Sequence, residues 1–171
     1  MAQKALRIGA GAGYAGDRIP PALALAEKGQ LDYLVFECLA ERTIALAQLE
    51  KIQNPMRGFD PLLSARMKAV LPACMAHGTR IITNMGAANP LQAGKEVLAV
   101  AKALGLHQLK VAVVLGDDVL AILQTQYLSE PLMDSTHTVS DIQALLVSAT
   151  RPLMMTCASD CKAGKRASAP R

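Results

Sequence analysis

Tryptophan is absent from the sequence, and three Tyr and two Phe are its only aromatic residues. That leaves little with which to stack nucleic-acid bases, and the charge distribution points the same way. From Thr150 onward five basic residues (Arg151, Lys162, Lys165, Arg166 and Arg171) accompany a single acid, Asp160, while residues 1–149 hold 13 basic and 13 acidic side chains and are neutral. The body therefore lacks the basic footprint that a nucleic-acid partner requires, and none is expected. No run approaches the ~18 uninterrupted apolar residues of a membrane-spanning helix, so no membrane partner is expected either. The N-terminal MAQKALRIGAGAG reaches glycine before the apolar stretch of a secretory signal can form,. Cys38 and Cys74 lie in apolar segments, the ordinary place for buried thiols in a reducing compartment. Cys157 and Cys161 are spaced C-x3-C without a second ligand pair, and His77, His107 and His137 have no acidic or thiol partner at ligand spacing, so no metal site is expected. Walker A, nucleophile-elbow and H-E-x-x-H motifs are all missing.

What is present is a chain of 171 residues, 51% hydrophobic and 19% charged, too apolar for intrinsic disorder and long enough for one domain with a real core. A cytoplasmic globular protein is expected. Short β-branched-rich runs at Leu6–Ala10, Tyr33–Glu37, Arg80–Thr83 and Lys110–Leu115 read as strands covered on both faces. Helical patterns separate them. One runs from about Ala40 to Ile52, and one opens at Asp60-Pro61 and closes at His77-Gly78. A third opens at Asn89-Pro90 and ends at Gly105, and the last starts near Val119. The segment from Ser140 to Ala149 reads as a further amphipathic helix. The fold class is α/β, a mostly parallel sheet with alternating strands and helices, Rossmann-like or partly barrel-like. Ligands in such sheets bind beyond the carboxyl ends of the strands. Those ends carry Gly9–Asp17, Glu37-Cys38, Asn84–Asn89 and Gly116-Asp117-Asp118.

Gly11-Ala12-Gly13-Tyr14-Ala15-Gly16 is a literal G-x-G-x-x-G, with Glu37 at the end of the next strand 21 residues later. That spacing matches the dinucleotide fingerprint. Pro20-Pro21, however, disfavours helical backbone at Ile19 and Pro20, which places the helix start at about Pro21, too far downstream for a pyrophosphate on its first turn. Two other readings stay open. The loop could cradle a phosphate or carboxylate with its N–H groups, or its glycines could serve turns and packing alone. Asp17 is a turn residue or a contact to a ligand hydroxyl, and Arg18 a solvated cation or an anion contact. Asn84 is placed to donate to a carbonyl or oxyanion, Gly86 to let the backbone approach a ligand, and Asn89 to cap a helix. Of Asp117 and Asp118, one caps the following helix in the simpler reading. In the functional one the pair moves a proton or holds a cation.

Taken together, RIGAGAGYAGD (Arg7–Asp17), LDYLVFECLAE (Leu31–Glu41), ITNMGAANP (Ile82–Pro90) and Gly116-Asp117-Asp118 resemble the N-terminal domain of the acyclic terpene utilisation (AtuA) family. The resemblance spans about Leu6 to Ala149. It implies a place in the catabolism of acyclic terpenoids of the citronellol and geraniol type, a pathway that runs through CoA thioesters. Family members continue well beyond this length, so residues 1–149 are expected to form a partial α/β domain. Residues 150–171 are expected to be a basic tail, disordered or from a shifted reading frame.

The expected function is binding of an anionic small molecule, with an acyl-CoA as the leading class, at the carboxyl edge of the strands. Gly11, Gly13, Gly16, Asp17, Asn84 and Gly86 are the expected substrate-binding residues, with Glu37 and Asp117 for proton transfer. A non-catalytic accessory subunit of the same pathway is the competing reading, and an NAD(P)-dependent oxidoreductase a weaker one. A homo-oligomer or a pathway enzyme is the expected protein partner. No cofactor is assigned.

Overall fold

The computed structural model describes residues 5–132, 135–141 and 155–158. Strand β1 is Ile8–Ala12, followed by helix α1 (Ile19–Lys28), β2 (Tyr33–Phe36), α2 (Glu41–Gln53), α3 (Leu63–His77), β3 (Arg80–Thr83), α4 (Pro90–Ala103), β4 (Lys110–Ala112), α5 (Leu120–Gln126) and β5 (Met155–Ala158). The five strands form one open sheet in the order β1-β2-β3-β5-β4. β1, β2 and β3 run parallel, with Leu34 opposite both Gly9 and Ile81, and the β1–β2 register shifts between Ala10 and Ala12. β5 lies antiparallel between β3 and β4. The α/β class with alternating strands and helices is therefore found, as an open sheet and not a barrel. Of the expected tail, only Met155–Ala158 is described, and the expected helix up to Ala149 lies beyond Asp141, outside the described residues.

Burial alternates along β2 and β3 and along β1 as far as Gly11, as a period of two requires,. Leu34, Phe36, Ile81 and Thr83 point into the core with the buried faces of α1, α3 and α4, where Leu63, Met67, Val70, Leu71 and Val97 are sealed from solvent. Among the described residues, no helix covers the opposite face. Ile8 there is 64% exposed, Ala10 is exposed, and Tyr33, Val35 and Ile82 are half-buried outside the core cluster. Strands covered on both faces were expected, and the structure corrects this. Each right-handed crossover here steps in the same direction across the sheet, and that puts its helices on one face.

Helix ends follow local chemistry, with differences from expectation at the starts of α1, of α4 and of α3, which begins at Leu63 and not at Asp60-Pro61. α1 begins at Ile19, two residues early, with Pro20 and Pro21 in its first turn, where a missing N–H leaves no intrahelical bond unmade,. Asn89 occupies the N-cap position of α4 without a capping bond. Its Nδ2 donates instead to the carbonyls of Pro55 (2.8 Å) and Arg57 (2.7 Å), pinning the loop after α2. α3 contains Pro72 and closes at Gly78, whose φ of +69° is the left-handed cap that glycine adopts at least cost,.

Candidate functional site

The carboxyl ends of β1, β2 and β3 come together as expected, and their loops differ in how far they satisfy their own polar groups. In the loop after β1, the Asp17 carboxylate accepts the backbone N–H groups of Gly13 and Tyr14 through Oδ2. These are the donors that a phosphate cradle would offer. The loop thus carries its own anion, and Asp17 is placed as their acceptor.

Two of its three glycines are explained by neighbours. A Cβ on Gly11 would stand 2.7 Å from the Phe36 ring, and one on Gly16 would stand 2.5 Å from the Tyr14 ring. Gly86 is constrained in the same way, since a Cβ there would meet Pro90 Cα at 2.9 Å. At these positions the absence of a side chain serves close packing. α1 starts three residues after Gly16, so its N-terminus does not sit on the glycines as a dinucleotide fold needs,.

Beneath this loop lies Arg66, 1% exposed, from the apolar face of α3. Its Nη2 donates to the carbonyls of Ala15 (2.7 Å) and Asp17 (2.9 Å), and its Nη1 donates to Cys38 Sγ (3.0 Å). The guanidinium also lies 5.9 Å from the Phe36 ring centroid. Arg66 therefore ties the loop after β1 to the end of β2. Burial pushes the Cys38 thiol up to about 12, with Arg66 opposing the rise. At neutral pH this thiol is not a nucleophile.

Asn84 joins the ends of β2 and β3. Its Oδ1 accepts the Cys38 N–H at 2.7 Å, and its Nδ2 donates to Glu37 Oε1 at 2.9 Å. Thr83 Oγ1 reinforces the junction by donating to the Phe36 carbonyl and accepting the Met85 N–H. Glu37 is exposed and also accepts the Leu39 N–H. The structure thus brings Glu37 and Asn84 into direct contact and places Asp117 elsewhere. Asp117 lines a separate recess of about 190 Å³ with Asp118, Asn89, Pro90 and Lys51. There Asp118 Oδ1 accepts the N–H of Leu120, the first residue of α5, from the position before the N-cap Val119, so neither acid is itself the expected cap. Among the described residues, no group of three His, Cys, Asp or Glu side chains could hold a metal ion.

A second cavity at this edge is a cleft of about 170 Å³ between α2 and the carboxyl ends of β2 and β3. Its walls are apolar, from Leu39, Leu46, Ala47, Phe59 and Met85, and Cys38, Asn84 and Asp60 also line it. Asp60 is a residue that the sequence presented only as the start of a helix. Burial pushes its carboxyl above the ordinary Asp value, opposed by the Leu62 N–H and by Arg66. Arg66 was legible in principle, as one cation on the apolar stripe that Leu63, Met67, Val70 and Cys74 make along α3.

The model of the acyclic terpene utilisation family protein AtuA matches residues 6–155. The chain belongs to the AtuA family. No curated protein and no solved structure matches it. The AtuA match begins just before β1 and ends at the first residue of β5, so it contains every loop at the carboxyl edge and the whole cleft. No helix among the described residues is long and apolar enough to cross a membrane.

Proposed function

We propose that this AtuA-family chain serves acyclic terpenoid catabolism by binding a small anionic conjugate, of which an acyl-CoA is the leading class, at the carboxyl edge of its strands. The cleft between α2 and the ends of β2 and β3 carries this reading, because its walls are apolar and its polar atoms few,. Its volume is close to the ~150 Å³ of a cavity that accepts one benzene ring, so a branched group of five or six carbons fits,. The hydrocarbon enters the cleft and the charged part of the conjugate stays outside it, where Arg18, Arg42 and Arg57 are exposed. Glu37 and Asn84 act as a linked pair at the rim, and Asp117 belongs to the neighbouring recess.

Ligand-dependent thermal stabilisation tests this, since a ligand that binds only the folded state raises Tm in proportion to its occupancy. Branched-chain acyl-CoA is expected to raise Tm, with CoA alone and nucleotides leaving it unchanged. Leu46→Trp, which fills the cleft from α2, is expected to abolish the response. Stabilisation that survives Leu46→Trp would place the ligand elsewhere.

The uncovered sheet face favours a second reading, an accessory subunit. Ile8 and Ala10 on edge strand β1, with the half-buried Val35 and Ile82 beside them, form an apolar surface suited to a second copy or a pathway enzyme,. A chain acting in this way shows no response to any of these ligands and elutes as a larger species on sizing.

A further inference from the structure

Asp60 leaves one carboxylate oxygen without a role in the fold. The residue is 7% exposed. Its N–H donates to the Met85 carbonyl at 2.9 Å, its carbonyl accepts the Leu63 N–H at 3.0 Å, and Oδ1 accepts the Leu62 N–H at 2.7 Å. These bonds close the turn that launches α3. Oδ2 is buried with no hydrogen-bond partner, although the residue lines the apolar cleft. Native structures rarely leave such an atom unpaired, so its partner is to be sought in what the cleft receives. The neighbouring polar groups are already committed. Asn84 bonds Cys38 and Glu37, and the Thr43 hydroxyl bonds the N–H and carbonyl of Ala40. Arg66 Nε also lacks a hydrogen-bond partner, and the Arg66 charge acts on Asp60 without a hydrogen bond to it, but that guanidinium does not line the cleft.

We propose that Asp60 is the polar anchor of this cleft, taking the uncharged oxygen, hydroxyl or carbonyl, at the end of a short branched hydrocarbon and rejecting the corresponding carboxylate. The inference rests on the cleft reading above and specifies which end of the ligand enters. A hydroxyl satisfies Oδ2 in either protonation state, by donating to the carboxylate or accepting from the acid. A carbonyl accepts only from the acid form, towards which burial moves Asp60 and from which the Leu62 N–H and Arg66 move it back,. A ligand carboxylate would bring a further negative charge into an apolar site that Asp60 and Glu50 already line,. Any charge on the natural ligand therefore stays outside the cleft.

The test uses three five-carbon probes on the full chain: 3-methylbut-2-en-1-ol, the methyl ester of 3-methylbut-2-enoic acid, and the sodium salt of that acid. Thermal shifts at neutral pH are read for the wild type, Asp60→Asn and Leu46→Trp. Asp60→Asn keeps an Oδ1 acceptor for Leu62, so its unliganded Tm is expected to report an intact fold. The alcohol and ester are expected to stabilise the wild type and the carboxylate to do nothing. In Asp60→Asn the preference for ester over carboxylate is expected to fall at least tenfold. Leu46→Trp is expected to respond to no probe. Equal stabilisation of the wild type by ester and carboxylate, or an unchanged preference in Asp60→Asn, would overturn the Asp60 assignment and leave the cleft reading standing. Shifts that persist in Leu46→Trp, or a wild type that answers none of the probes, would overturn the cleft reading and this inference with it.

Discussion

The glycine loop after β1 and the cleft at Asp60 share one edge of the sheet, yet they treat their polar atoms in opposite ways. In the loop, Asp17 accepts the N–H groups of Gly13 and Tyr14, Arg66 donates to the carbonyls of Ala15 and Asp17, and two glycines make room for aromatic rings. In the cleft, Asp60 keeps a buried oxygen unpaired against apolar walls. The loop has the residue pattern of a binding site and the internal bonding of a finished turn. The cleft has the pattern of an ordinary helix start and the unmet bonding of a site. Glycines at set spacing report backbone geometry, which packing can require as readily as a ligand can.

Replacing Arg66 breaks both regions together, since its guanidinium holds the loop carbonyls and Cys38 Sγ at once. Arg66→Ala is expected to lower stability by about 3 kcal/mol, given three hydrogen bonds to a charged group that leave buried partners unpaired. The urea midpoint checks it. Gly11→Ala sharpens the packing reading of the loop. Its new methyl meets the Phe36 ring at 2.7 Å, and overpacking of this kind costs about 1–3 kcal/mol,.

Asp17→Ala reverses the comparison at the loop. It is expected to cost about 1 kcal/mol for the lost acceptor. By freeing the N–H groups of Gly13 and Tyr14, it is also expected to make Tm respond to millimolar phosphate, which leaves the wild type unmoved. A wild type that responds to phosphate as strongly as the variant would return the loop to the site.

The smallest effect expected is the pH dependence at Asp60, whose folded-state pKa lies above the ordinary 3.8. The folded chain then holds more protons than the unfolded one in the window starting near 3.8, so stability falls as pH rises through it. Above the raised pKa the wild type carries the full cost of a buried carboxylate. Asp60→Asn lacks this term, so its stability relative to the wild type is expected to grow as pH rises through the window and then level off. Chemical denaturation at a series of pH values measures it.

The strands were legible where side chains carry the signal. Arg80–Thr83 is a strand as expected, and β2 ends at Phe36, one residue earlier than expected. β1 lies two residues downstream of its expected place because Gly9 and Gly11, which carry no strand signal, are where Leu31 and Phe36 fill the space above the backbone. β5 was not legible, since Met155–Ala158 becomes a strand only through pairing with β3 and β4, far off in sequence. Asn84 and Glu37 were singled out from their place at strand ends, but their contact with each other was not legible, because it joins two separate loops. Asp60 was hidden for a related reason. One of its oxygens does cap a turn, as Asp before Pro suggests, and only the fold leaves the other oxygen in an apolar cleft.

The most direct measurement is amide chemical-shift mapping of the full chain titrated with 3-methylbut-2-en-1-ol. The account predicts shifts at Leu39, Ala47, Asp60 and Met85, with Gly13 to Asp17 unmoved. Shifts confined to Gly13–Asp17, with Asp60 and Met85 silent, would contradict it.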